Sequence, residues 1–163
     1  MIATGTSGGG LLARPAERAV AVGFRAQLAG YETCDVHCWE LAWTTYEQLV
    51  GTRAAKSLFA ELHGWVRAIR FGAARTIAVY PPCCRWLSPD ECMALSAVTA
   101  CQYQDRQAAE YAGKILLGCE EIGAMLDAAQ DFAGALADSG LRLLPVGLDV
   151  IASIAAGRQS QLQ

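Results

Sequence analysis

Residues 105–138 read DRQAAEYAGKILLGCEEIGAMLDAAQDFAGALAD, and the apolar positions in this stretch decide the fold class. Ala112, Ile115, Cys119, Ile122, Leu126, Ala129, Ala133 and Leu136 follow one another in alternating steps of three and four, the interval at which side chains return to one face of an α-helix. The small residues in that row predict a packing seam of heptad type, with a partner helix lying close along it either as a hairpin or across a dimer interface. Gly113, Gly118 and Gly123 each cost about 1 kcal/mol relative to alanine inside a helix, so a kink or break is predicted near Gly118. Gly140 reads as the C-terminal stop.

Upstream of the seam, Ser88-Pro89-Asp90-Glu91 spells a helix start. Serine can cap the first turn, proline suits its first position, and a glutamate three residues after the serine completes a capping box. That helix is expected to reach about Gln102, with a break near Tyr103–Asp105. Earlier still, Pro15 opens a first helix over Ala16–Leu28 that Gly30 should end. Thr33 or Asp35 caps a second helix running to about Val50. Its two adjacent stripes, Trp39-Trp43-Tyr46-Val50 and Cys34-Cys38-Leu41-Thr45, predict a central position in the core. A third helix follows Gly51-Thr52, burying Leu58, Phe59, Leu62, Trp65, Val66 and Ile69, and ends at Gly72. Two stretches read as extended, 76–80 and 141–146, and their pairing in a minor two-stranded ribbon is the one β element the sequence admits. A last short helix is expected over Gly147–Ala156.

Composition agrees with a helical chain. Of the 163 residues, 53% are hydrophobic and 18% charged, enough apolar surface to offset the entropy of ordering one core. Much of that content is alanine, which favours close-packed helices. The expected architecture is therefore a mainly α, compact bundle of about five to six helices. It comprises a lead-in over 1–12, a single helical domain over 13–157 and a frayed tail over 158–163.

The net charge of −3 is mild and argues against nucleic acid as a partner. Its distribution is uneven: residues 1–87 carry nine Lys/Arg against six Asp/Glu, and residues 88–163 carry four against ten. Neither a secretory signal nor an apolar run of membrane-spanning length is legible, so a cytoplasmic protein with no membrane partner is expected. In that compartment the seven cysteines should be reduced thiols.

Three constellations are candidates for function. Cys34, His37 and Cys38 fall at i, i+3 and i+4, a spacing that puts two thiols and an imidazole on one helix face. With Cys83 and Cys84 folded back, they form a candidate site for zinc or another thiophilic metal. The Cys83-Cys84 pair lies beside Arg85 and the Ser88 helix start, which favours thiolate and makes it the candidate redox centre. The competing structural reading is that these cysteines are core packing. Finally, Arg53, Lys56, His63, Arg67 and Arg70, with Ala60 filling the remaining place, make a basic ridge suited to an acidic protein partner or the acidic half of a second copy. The glycine-rich start lacks the Gly-Lys-Ser/Thr ending of a phosphate loop, and no serine, histidine or carboxylate arrangement specifies catalysis. The expected role is a non-catalytic regulatory or structural interaction domain that self-associates. A metal or thiol sensor is the alternative, and a cysteine-dependent enzyme stands behind both.

Overall fold

In the computed structural model, residues 12–161 are described, without the side chains of 158–161. The described residues form six helices: α1 (Pro15–Thr33), α2 (Val36–Gly72), α3 (Pro89–Gln102), α4 (Arg106–Leu117), α5 (Gly123–Asp138) and α6 (Leu148–Gln161). A mainly α bundle is thus what the sequence builds. The expected lead-in lies almost wholly outside the described residues, and α6 runs past the expected end at Ala156 into the stretch expected to fray.

The local signals act largely as their chemistry dictates. Ser88 accepts from Glu91 N and the Glu91 carboxylate accepts from Ser88 N, completing the capping box of α3. Asp35 caps α2 through His37 N, and Asp105 caps α4 through Ala108 N. At Gly118 the backbone turns left-handed, φ 69°, and ends α4, so the long seam is two helices with a break where three glycines made one cheap. The expected second and third helices join end to end as α2, kinked at Gly51 with φ 81°. Gly30, expected to end α1, instead lies inside it. A Cβ there would strike the Trp39 indole, so this glycine serves close packing between α1 and α2.

The core has α1 and α3 at its centre. Both are buried along nearly their whole length, which their alanines permit by letting neighbouring helices approach. The first half of α2 was expected in that position and is not there: Tyr46 is buried, but Trp39 and Trp43 are half-buried and Leu41 and Cys34 are exposed. From the second half of α2, Trp65 enters the centre between Phe24 and Phe132, with ring centroids 5.5 and 5.3 Å away. Burying each such ring is worth about 2–3 kcal/mol.

The seam finds its partners within the chain. Helix α4 packs on α3, α5 packs on both α3 and α2, and the two touch one another only slightly. Ala112, Ile122, Ala129, Ala133 and Leu136 are all buried in this way. Cys119 stands in the connection between the two helices, its thiol 3.5 Å from Gly72 O.

The expected ribbon does not form, since no strand occurs among the described residues. Both segments lie outside any helix, and helix side chains take the hydrogen bonds a partner strand would have used. Ala78 N donates to Asp90 (2.7 Å) and Ala78 O accepts from Ser88 Oγ (2.6 Å), while Tyr80 N donates to Glu91 (3.4 Å). In the other segment Gln102 bonds to Leu141 O and Leu143 N, Tyr103 Oη to Leu143 O, and Glu17 to Leu144 N.

The α1–α2 contact leaves no room at Gly23, where a Cβ would meet the Tyr46 hydroxyl; that hydroxyl donates to Ala19 O at 2.9 Å. Gly23→Ala is therefore expected to destabilise by about 1–3 kcal/mol in urea unfolding. The penalty should shrink in a Tyr46→Phe background, which removes the clashing oxygen; an equal penalty in both backgrounds would contradict this packing.

Candidate interaction surface

The basic ridge is built by helix periodicity opposite the buried stripe of α2. Ala55, Leu58, Leu62, Trp65, Val66 and Ile69 fill the core side, which turns Arg53, Lys56, Arg67 and Arg70 outward; all four are exposed. Among the described residues none of these four cations has an ion-pair partner. Two of them lie over aromatic rings instead. The Arg70 guanidinium is 4.7 Å from the centre of the Tyr31 ring, and that of Arg67 is 5.7 Å from Phe71. Phe71 is 74% exposed, the most open large apolar side chain among the described residues.

Sequence reading found the cations and missed the rings. Phe71 sits opposite the buried stripe, immediately before the terminating Gly72, where a lone apolar residue carries no periodic signal. Beneath the ridge, Tyr31 Oη lies 3.1 Å from His63 Nε2, and His63 Nδ1 lies 3.2 Å from Gln27 Oε1. Arginine and aromatic side chains are the types enriched where proteins recognise one another.

The cysteine and histidine candidates are placed differently. Cys34 is exposed in the left-handed turn between α1 and α2, φ 56°, and so is not on a helix face with His37 and Cys38. His37 is exposed and paired with Glu40 at 2.8 Å; that hydrogen bond and charge, with Asp35 nearby, raise its pKa above the usual value. Cys83 is exposed in the turn closed by Cys84 N to Pro81 O. No three His, Cys, Asp or Glu side chains among the described residues are gathered to hold a metal ion, so the structure does not bring Cys34, His37, Cys38, Cys83 and Cys84 into one ligand set.

Among the described residues, two surface clefts are prominent. One, of about 380 Å³, lies on α3 where α4 and α5 diverge, floored by Ala100, Cys101 and Ala109 and rimmed by Gln104 and Asp127. The other, of about 450 Å³, runs between Arg18 and Val22 of α1, Leu41 and Thr45 of α2, and Cys83. No helix among the described residues is long and apolar enough to cross a membrane. No protein-family model, curated protein or solved structure matches this chain.

Burial separates the thiols. It pushes Cys101 up to about 11, and burial with the Glu91 charge does the same to Cys92, so at pH 8 only about one molecule in a thousand carries thiolate at either position. Iodoacetamide treatment at that pH, read by peptide mass spectrometry, should label exposed Cys34 and Cys83 first and Cys92 and Cys101 last. Early labelling of Cys92 or Cys101 would contradict their placement.

Proposed function

We propose that this chain is a non-catalytic helical interaction module, regulatory or structural in role, that docks an acidic protein surface on the outer face of α2. In the cytoplasm expected for it, its thiols would be reduced and not part of the interface. The observation that carries this reading is the pairing of unneutralised cations with an exposed ring: Arg53, Lys56, Arg67 and Arg70 share one helix face with Phe71. A face that is merely solvated gains nothing from an exposed phenylalanine, whereas a docking face gains desolvated area at its centre and charge steering at its rim. The rigid core beneath α2 keeps these side chains on a regular helix, which lowers the entropy lost on binding.

A fluorescein-labelled, end-blocked Glu/Ala peptide of about sixteen residues, roughly four helical turns, is a suitable probe for fluorescence anisotropy. Binding is expected to weaken with salt and to fall about tenfold or more in Arg67→Glu/Arg70→Glu. Arg106→Glu, an exposed charge on α4, should bind as the wild type does. Equal affinity of the wild type and the α2 variant would refute the assignment.

A further inference from the structure

We propose that the acidic surface docked on α2 is α5 of a second copy of this chain, lying antiparallel to the ridge. This inference rests on the docking role just described and names its partner. The exposed side of α5 carries Asp127, Asp131 and Asp138, all open to solvent, and no cation is paired with any of the three among the described residues. Lys56 and Arg67 are eleven residues apart, and so are Asp127 and Asp138. Both pairs are therefore separated by about 16 Å along their helices.

Antiparallel alignment sets Lys56 against Asp138 and Arg67 against Asp127. In the same register Ala60 meets Gly134 between the two ion pairs, one helical turn from Lys56, and Phe71 meets Gly123. A Cβ added at Gly134 or at Gly123 would find nothing within 4 Å inside the chain, so both glycines present open backbone on the solvent side. The first allows the two helices to approach closely, and the second offers the Phe71 ring a flat seat. His63 falls opposite Asp131. A parallel alignment also matches the eleven-residue interval, but it sets Ala60 against Asp131 and His63 against Gly134. It would also align the helix dipoles head to head, whereas the antiparallel arrangement opposes them.

Exposed ion pairs are individually weak, so the association should be weak and strongly salt-dependent. Sedimentation velocity of the full chain into the high-micromolar range, at about 0.1 M and about 1 M salt, spans Debye lengths of roughly 10 and roughly 3 Å. The wild type should self-associate reversibly at the lower salt and much less at the higher. Arg67→Asp and Asp127→Arg should each weaken association at least about tenfold, and the double variant, which exchanges the charges, should recover it. Gly134→Leu should abolish association with no loss of thermal stability, because its side chain enters space that is open in the single chain.

A wild type that stays monomeric, or single and double variants that associate alike, would overturn the second-copy assignment. If that monomer still bound the acidic peptide through Arg67 and Arg70, the docking role would stand and only the identity of the partner would fall. Loss of both would refute the docking role itself.

Discussion

The buried ion pair between Arg25 on α1 and Glu91 on α3 is the contact on which the rest of the fold depends. Both side chains are 1% exposed. Arg25 also donates to Cys84 O at 2.8 Å and to Trp86 O, and Glu91 accepts from Ser88 N and Tyr80 N. One residue pair thus joins the two central helices and fixes the backbone of the 73–88 connection between α2 and α3. Such a pair adds little net stability over a well-packed apolar substitute, but removing one member strands a buried charge and costs about 3–5 kcal/mol. What it contributes is position, since Arg25 and Glu91 together hold backbone groups of residues 80, 84, 86 and 88.

The same device recurs around the core. Arg75 and Asp90 form a second pair, at 2.6 Å between Nη2 and Oδ1, that also bonds to Ile115 O and Ala78 N, tying the connection to α4. Gln102, Tyr103 and Glu17 hold the 141–146 segment in a similar way. A core rich in alanine offers little area per residue, so these directional contacts set positions that bulkier side chains would otherwise set by shape. With α1 and α3 fixed, α2 and α5 are held against the centre by their buried stripes, and their outer faces become the surfaces available to a partner.

Much of this was legible, for local reasons. The capping box at Ser88, the left-handed turn at Gly118 and the break near Tyr103 follow from side-chain chemistry within a few residues. The ridge on α2 follows from periodicity alone. Beyond the rings on the ridge and the role of Gly30, three features were not legible, and each depends on long-range placement. The buried roles of Glu17, Arg25 and Glu91 were hidden, because a charged residue reads as solvated until its partner is known. The stripe through Cys38, Leu41 and Thr45 of α2 is exposed or half-buried, with Cys34 in the turn before it, because α1 already occupies the centre that two apolar stripes implied. The 76–80 and 141–146 segments read as ribbon strands because sequence shows the need for hydrogen bonds but not their source.

Native-state hydrogen exchange at the Ala78, Tyr80 and Ser88 amides tests this account most directly, since these three donate to carboxylates and lie outside any helix or sheet. If Glu91 and Asp90 strap the connection to the core, all three should exchange only through opening of the α1–α3 core, with protection close to that of central α3 amides. Exchange at the rate of a solvated loop, with the α3 amides still protected, would contradict the strap and the rigid framework built on it.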